Sequence, residues 1–360
     1  MNSTIEQLVR PEIRALTAYA VPDSQGLIKL DAMENPYTWP DELKRLWLTE
    51  LAEVDVNRYP HPQAPALKER LRHHLGLEEG SGLLLGNGSD ELIQMLAMTV
   101  GGPGRTLLSV EPGFVMYRMI AHFTHTQYIG VPLQSEDFGL TPEPLLAAIE
   151  QHQPSLIFLA YPNNPTGNLF DQDAIRQVLA AAPGLVVIDE AYAPFTDATF
   201  LPLLDEYPNL LVMRTLSKMG LAGLRLGMLA GAAAWLEQID KTRLPYNINT
   251  LTQVSADFAL RHQAILDQQT QTLRHARDEI FAQLSELPTI RAYPSDANFI
   301  LLRLTTPGSA NALHQHLRSH GILIKNLHGS HPLLEECLRI TIGTEEENIL
   351  LLKGIRGFKG

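Results

Sequence analysis

The chain has 360 residues, 45% of them hydrophobic, with a formal net charge of -12 and a single cysteine, Cys337. An acidic chain repels phosphate backbones and anionic lipid, so neither nucleic-acid nor membrane-surface binding is expected. One cysteine forms no internal disulfide, and no apolar run reaches the roughly 18 residues that a membrane-spanning helix needs. The charged N-terminal segment fits neither a signal peptide nor an anchor, so we expect a cytoplasmic protein.

From about residue 83 to 230, short apolar runs alternate with longer helical patterns. Such alternation is typical of parallel strands joined by crossover helices. Nearly continuous apolar runs fit strands that are buried on both faces of a sheet. The runs are LLLG (83–86), RTLLSVEP (105–112), SLIFLA (155–160), GLVVIDE (184–190), NLLVMRT (209–215) and GMLAG (227–231).

The last hundred residues follow a different pattern. After a mainly helical stretch over 232–285, the segments RAYPSDANFILLRL and CLRITIG predict strands, and NALHQHLRSHG and EEENILLLKGIRGF predict helices. This is an α+β pattern with separated strands. We therefore predict an α/β protein with an N-terminal arm over 1–32, a large α/β/α domain with a mostly parallel sheet over 33–245 and a smaller α+β domain over 246–360.

Three of the predicted strands run into polar residues at their ends. SLIFLA leads into YPNNPTG with Asn164, GLVVI leads into Asp189 and Tyr192, and NLLVMRT leads into Lys218. Ligands of open parallel sheets bind beyond the carboxyl ends of the strands. We therefore expect an amide, a carboxylate, a phenol and an amine to converge at this edge.

Pyridoxal phosphate is a cofactor that uses all four of these groups. Asp189 would keep the pyridine nitrogen protonated, because a nearby anion favours the charged form. Asn164 and Tyr192 can donate to the phenolate oxygen. Lys218 can bind the aldehyde and move protons if burial beside Arg225 lowers its pKa.

A cofactor phosphate also needs a cradle of donors. The segment GNGSDE (86–91) places two glycines at a predicted helix start, where free backbone N–H groups favour an anion. Thr215, Ser217 and Arg225 could supply further donors, and Tyr117 could stack on the cofactor ring.

Each of these features also has a simpler explanation. Asp189 could be a helix N-cap, Lys218 a surface charge, and the segment NNPTG (163–167) a turn. Tyr117 lies at helical spacing from apolar neighbours, so it could instead be a core residue of a helix. Only the joint occurrence of the motifs, in this order and at three strand ends, favours a cofactor site.

On these residues the chain resembles the fold-type I pyridoxal-phosphate aminotransferases, and within them the histidinol-phosphate aminotransferases. The motifs NNPTG, DEAY and SK, in this order, indicate the superfamily. The segments LDAMENPY (30–37), RYP (58–60) and CLRITIG (337–343) resemble the histidinol-phosphate branch. The matching segments extend from residue 19 to residue 343.

The resemblance assigns a role to each cofactor-site residue. It implies that Lys218 forms the internal aldimine, that Asp189 pairs with the pyridine nitrogen, and that Asn164 and Tyr192 bind the phenolate oxygen. It implies that Tyr117 stacks on the ring. The phosphate ligands that it implies are Ser89, Asp90, Thr215, Ser217 and Arg225. Tyr59 would reach the phosphate of a neighbouring subunit, which implies a homodimer with shared active sites.

The resemblance also implies a substrate side. Arg339 would bind a carboxylate or phosphate as a bidentate fork, although alternation along its strand would instead place it on a polar outer face. Lys325 stands where relatives often carry a second arginine, and lysine binds phosphate only as a point charge. Tyr19 and Asn35 would line this side near the N-terminal arm.

The implied reaction is amino transfer between L-histidinol phosphate and 2-oxoglutarate in histidine biosynthesis, with ping-pong kinetics. Alternatives are an aminotransferase for aromatic or other amino acids, or a threonine-phosphate decarboxylase. A regulatory protein that has borrowed the fold would carry a basic DNA-binding segment, which the acidic composition disfavours. The 13 histidines form no H-x-x-x-H or H-E-x-x-H pattern, so no metal is expected.

Overall fold

The structure is a computed structural model that describes residues 2–18 and 21–359. Its helices are α1 (Asn2–Leu8), α2 (Pro11–Arg14), α3 (Asp41–Ala52), α4 (Pro65–Leu75), α5 (Ser89–Val100), α6 (Val115–Phe123), α7 (Pro142–His152), α8 (Gln172–Ala181), α9 (Ala233–Asp240), α10 (Thr250–Arg261), α11 (Gln263–Ser285), α12 (Ser309–Ser319) and α13 (Glu345–Gly357). Its strands are β1 (Ile28–Leu30), β2 (Ser81–Asn87), β3 (Thr106–Glu111), β4 (Gln127–Pro132), β5 (Leu156–Ala160), β6 (Leu185–Asp189), β7 (Leu210–Thr215), β8 (Leu226–Ala232), β9 (Ile290–Ala292), β10 (Phe299–Leu304), β11 (Ile322–Asn326) and β12 (Cys337–Thr341). Within the described ranges, no helix has the length and apolar character to cross a membrane.

A seven-stranded sheet in the order β2-β8-β7-β6-β5-β3-β4 forms the centre of the larger unit. Strands β3 to β7 pair in parallel, and β8 runs antiparallel to both of its neighbours. Side chains alternate between the faces, so Leu83 and Leu85 pack with α4, α7 and α8, whereas Leu84 packs with α5, α6 and α9. Burial on both faces explains the continuous apolar runs in the sequence, and the predicted α/β/α architecture is confirmed.

A second sheet in the order β1-β11-β12-β10-β9 forms the smaller unit. Its strands pair antiparallel except at the edge, where β1 runs parallel to β11 with Ile28 opposite Ile322. Helices α12 and α13 and the second half of α11 pack on this sheet. A capping box between Thr344 and Glu347 begins α13.

The predicted boundaries at residues 32/33 and 245/246 can be compared with the sheet against which the neighbouring elements pack. Strand β1 lies within the predicted N-terminal arm, yet it is an edge strand of the small sheet. Helix α10 lies after residue 245, but Ala256 and Ala259 belong to the core of the large sheet. The change of core occurs inside α11, where Leu266 packs with the large sheet and Leu273 with the small one.

Candidate active site

A cavity of about 420 Å³ lies at the carboxyl ends of β5, β6 and β7, which are adjacent and parallel. This volume lies within the range of small-ligand sites. The cavity brings together most of the residues predicted for the cofactor, namely Ser89, Asp90, Asn164, Asp189, Tyr192, Thr215, Ser217, Lys218 and Arg225. Their convergence follows from the strand order, because they stand at or shortly after the ends of β5, β6 and β7, at the start of α5 or, for Arg225, just before the antiparallel strand β8 begins.

Lys218 follows β7 on a short 3₁₀ turn, Ser217–Met219. Its Nζ donates to the backbone oxygen of Ala32 at 3.4 Å and lies 5.7 Å from the centre of the Tyr192 ring. Burial, and next the positive charge of Arg339, lower the pKa of Lys218 to about 8. About a tenth of this amine is therefore neutral at pH 7, far more than at an ordinary lysine, and the neutral form is the one that attacks an aldehyde.

Asp189 ends β6 with its side chain in the cavity wall. Its Oδ2 accepts a hydrogen bond of 2.7 Å from the Tyr117 hydroxyl, and its Oδ1 accepts one of 3.1 Å from the Ala191 N–H. Burial nevertheless raises the pKa of Asp189 to about 6. A protonated pyridine nitrogen placed against this carboxylate would favour its charged form, so the residue fits the role predicted for it.

Hydrogen bonds link Arg339, Asn164 and Tyr192 along one wall. Arg339 Nη1 donates to Asn164 Oδ1 at 2.5 Å, and Asn164 Nδ2 donates to the Tyr192 hydroxyl at 3.1 Å. The second Arg339 nitrogen, Nη2, donates to the backbone oxygen of Asp31 at 3.0 Å. This network holds the Asn164 amide next to the Tyr192 phenol. Such an arrangement is required if both groups are to bind the phenolate oxygen of the cofactor.

Tyr117 does not line the cavity, so its predicted stacking on the cofactor ring is not supported by its position. Its ring is buried and stacks on Phe158 with 4.6 Å between ring centres, while its hydroxyl is bonded to Asp189. Phe114, which directly precedes α6, lines the cavity instead. The rule that ligands bind beyond strand ends points to the segment after β3, but it does not distinguish Phe114 from Tyr117 within that segment.

The N-terminus of α5 forms the opposite end of the cavity. No side chain caps this terminus, so first-turn N–H groups, including that of Ser89, are available to an anion. Gly88 has φ 79°, and a Cβ there would lie 2.4 Å from Arg225 Nη2. A Cβ on Gly227 would lie 2.7 Å from Ser89 N. The two glycines therefore create the space in which the guanidinium approaches the helix, and the space suits a phosphate.

Asp90 can fill only part of the phosphate-binding role that was predicted for it. Its Oδ2 accepts from Arg225 Nη2 at 3.3 Å, and a carboxylate has no proton to donate. Only the backbone N–H of Asp90 can contribute to a phosphate cradle. Among the hydroxyls, Thr215 Oγ1 lies 2.9 Å from Ser217 Oγ and 3.0 Å from the Leu226 carbonyl oxygen, so Thr215 also holds β7 to β8.

A second cavity of about 290 Å³ adjoins the first, and the two share Met33, Phe114 and Asn164. Lys325 and Arg339 both line it. They are direct partners on the antiparallel strands β11 and β12, so they share one face of the sheet. Arg339 is only 7% exposed, because β12 is a central strand, and the alternative of a polar outer face is therefore wrong.

Three other predicted residues lie outside these two cavities or outside the described ranges. Asn35 donates to the Met219 carbonyl oxygen at 3.2 Å and to Gln269 Oε1 at 3.1 Å, so its amide fixes the chain. Tyr59 is 81% exposed and stacks on Tyr246 with 4.5 Å between ring centres. Tyr19 is not among the described residues. Among those residues, no cluster of three or more histidine, cysteine, aspartate or glutamate side chains could hold a metal ion.

A family model described as aminotransferase class I and II matches residues 25–355. Histidinol-phosphate aminotransferase 2 of Nitrosococcus oceani is 54% identical to this chain over 98% of this chain and 97% of the relative. Histidinol-phosphate aminotransferase of Chromobacterium violaceum is 50% identical over 99% of both chains. The crystal structure of histidinol-phosphate aminotransferase from Sinorhizobium meliloti in complex with pyridoxal-5'-phosphate matches with a TM-score of 0.85 at 25% identity, covering 97% of this chain and 98% of that one. These matches span both sheets and both cavities.

Proposed function

The chain belongs to the class I and II aminotransferases and depends on pyridoxal phosphate, and from this premise we propose that it transfers the amino group of L-histidinol phosphate to 2-oxoglutarate in histidine biosynthesis. The names of the relatives at 54% and 50% identity support this substrate. The single observation that carries the proposal is the cross-strand pair of Lys325 and Arg339 in the second cavity.

Like charges directly opposite each other on neighbouring strands repel and destabilise a sheet. Here burial lowers the pKa of Lys325, and Arg339 lowers it further. An anion bound between the two side chains would remove this repulsion. The cavity wall holds three cations, Lys325, Arg339 and Arg118, and one carboxylate, Glu111, which leaves a formal net charge of +2. A phosphate dianion matches that charge better than a single carboxylate does.

The residues of the first cavity divide the catalytic work. Pyridoxal phosphate supplies, when bound, an electron sink for the bond that breaks at the substrate α-carbon. Lys218, with its lowered pKa, would move a proton from that carbon to the aldehyde carbon of the cofactor. Asp189 would maintain a positive charge at the ring nitrogen, and Tyr192 and Asn164 would hold the phenolate oxygen by hydrogen bonds. Arg225 and the first turn of α5 would hold the phosphate.

The proposal includes a homodimer with shared sites and a cytoplasmic location. Tyr59 supports the homodimer, because its exposed ring makes no contribution to either cavity of its own chain. It is available to reach a neighbouring subunit, as its motif implies. The cytoplasmic location rests on the relatives, which are bacterial aminotransferases named for a biosynthetic substrate.

The decisive experiment incubates the purified protein with L-histidinol phosphate and 2-oxoglutarate and measures glutamate. Phenylalanine and threonine phosphate serve as competing substrates in the same assay. We expect glutamate from histidinol phosphate and a cofactor absorbance band at roughly 410–430 nm that is lost in Lys218→Ala. No glutamate from histidinol phosphate, with turnover of phenylalanine or threonine phosphate instead, would contradict the proposed substrate.

A further inference from the structure

The second cavity contains side chains beyond Lys325 and Arg339 that the proposed mechanism does not use. Glu111, at the end of β3, pairs with Arg118, whose guanidinium also lies 5.2 Å from the centre of the Tyr128 ring. A Cβ on Gly130 would lie 2.3 Å from the Glu111 carboxyl carbon, so the sheet leaves space for this carboxylate. Glu111 is therefore held against Arg118 rather than directed at Lys325.

His331 lies in the wall of the same cavity, and its hydrogen bonding defines its tautomer. Its Nδ1 accepts from the Leu333 N–H at 3.1 Å and so caps the 3₁₀ turn Pro332–Leu334. A neutral imidazole that accepts at one nitrogen carries its proton on the other, so Nε2 is the donor. This nitrogen is 3.7 Å from Glu111 Oε2, which is too long for a hydrogen bond. Burial lowers the pKa of His331, which favours this neutral form.

A phosphate bound between Lys325 and Arg339 still needs a hydrogen-bond donor that fixes its orientation. Arg339 is already committed through Nη1 to Asn164 and through Nη2 to Asp31. Lys325 attracts an anion as a point charge but does not orient it as a planar fork would. A phosphate between these cations has oxygens that need further donors, and His331 lines the cavity that they share.

We propose that His331 is a specificity-determining residue, whose Nε2–H donates to the phosphate of the amino donor bound by Lys325 and Arg339. This inference rests on the proposed function, because it assumes a phosphorylated amino donor. His331 then supplies the directional contact where an arginine is replaced by Lys325. The preference for a phosphorylated over an unphosphorylated donor depends on this imidazole.

The test compares kcat/KM for L-histidinol phosphate and for L-histidinol in wild type, His331→Asn and His331→Gln. Asparagine can still accept from the Leu333 N–H, as a good cap does, but it cannot reach the position of Nε2. Glutamine can place an amide N–H near that position. We expect His331→Asn to lose about tenfold or more for the phosphorylated donor, mainly through KM, as for other hydrogen bonds to charged groups. Histidinol turnover should fall far less than histidinol-phosphate turnover, and His331→Gln should recover most of the loss.

His328→Asn is the matched control, because His328 Nδ1 caps the Glu336 N–H at 3.0 Å on the same loop but does not line the cavity. It should behave as wild type. Inhibition by inorganic phosphate should weaken about tenfold in His331→Asn and not in the control. His331→Ala gives the same comparison of donors should His331→Asn not fold.

Equal losses for both donors, or an unchanged ratio between them in the His331 variants, would overturn the proposal. A wild-type enzyme that produces no glutamate from histidinol phosphate would contradict the proposed function instead. The two failures are thus distinguished by the wild-type measurement alone.

Discussion

Tyr117 donates a 2.7 Å hydrogen bond to Oδ2 of Asp189, and both side chains are buried. The Tyr117 ring is held in turn by stacking on Phe158 in β5. Two opposing effects therefore act on the Asp189 carboxyl, because burial raises its pKa and the Tyr117 hydroxyl lowers it. Tyr117 is a positioning residue, since it orients the carboxylate without lining the cavity.

Tyr117→Phe should raise the pKa of Asp189 above its present value of about 6. The loss of a hydrogen bond to a charged group costs about 1.5–3 kcal/mol, so affinity for the cofactor should fall about tenfold or more. Equilibrium titration of the apoprotein with pyridoxal phosphate measures this effect. The matched control is Tyr207→Phe, at a partly buried tyrosine outside the cavity. Equal affinities in the two variants would argue against the positioning role.

Lys218 should destabilise the apoprotein at neutral pH. Its pKa is lowered from 10.5 in the unfolded chain to about 8 in the folded chain, so the unfolded state binds its proton more tightly. This penalty is complete below pH 8, decreases as the pH rises from 8 to 10.5, and disappears above. The Lys218→Met apoprotein should thus be more stable than wild type at pH 7 by on the order of 3 kcal/mol.

Urea denaturation of the apoproteins at pH 7 and pH 10 measures that difference. Lys353→Met, at an exposed lysine of α13, is the control and should show no such pH-dependent gain. A Lys218→Met gain that stayed constant between the two pH values would show that packing, not charge burial, causes it.

Lys325→Met should have opposite effects on stability and on catalysis. It removes the cross-strand repulsion with Arg339, so the ligand-free protein should gain about 0.2–1 kcal/mol in free energy of unfolding. It also removes a cation from the proposed phosphate site, so kcat/KM for histidinol phosphate should fall about tenfold or more. Thermal unfolding and steady-state kinetics on one preparation test both effects. Loss of stability together with activity would indicate a structural lysine.

Gly88→Ala should impair cofactor binding and also strain the turn that begins α5. The added Cβ would lie 2.4 Å from Arg225 Nη2, at a backbone φ of 79° that favours glycine. The guanidinium must then withdraw from the N-terminus of α5, and we expect a loss of affinity for pyridoxal phosphate of about tenfold or more. Gly104→Ala is the control, because Gly104 also has a positive φ, 75°, but a Cβ there meets no atom within 4 Å. Binding isotherms for both variants decide the outcome.

The sequence predicted the centre of the site because strand ends are local features. Asp189 ends a buried strand, Asn164 and Lys218 stand within one turn after theirs, and parallel pairing places such ends together. The choice between Phe114 and Tyr117 was not predictable in this way, since it depends on how the first turn of α6 faces the sheet. The enzyme class and the cofactor inferred from the motifs are confirmed by the family match.

Features that depend on distant pairing were less predictable. Strand β1 has three residues, and its partner β11 lies near the other end of the chain, so no local pattern marks it. Arg339 is buried because β12 has a neighbouring strand on each side and its side chain faces the second cavity. Alternation of residues along the strand does not reveal either fact. Asn35 resembled a substrate ligand by its motif, but its hydrogen bonds to Met219 and Gln269 are contacts of tertiary structure.

The pairing of β1 with β11 has a consequence for how the protein is made on the ribosome. Ile28 is synthesised early but pairs with Ile322, so the edge strand has no partner until most of the chain has emerged. The residues just after β1 supply the carbonyl oxygens that accept from Arg339 and Lys218. The lysine and the arginine therefore reach their final positions only in the nearly complete polypeptide, and a nascent chain halted before β11 has no assembled catalytic centre.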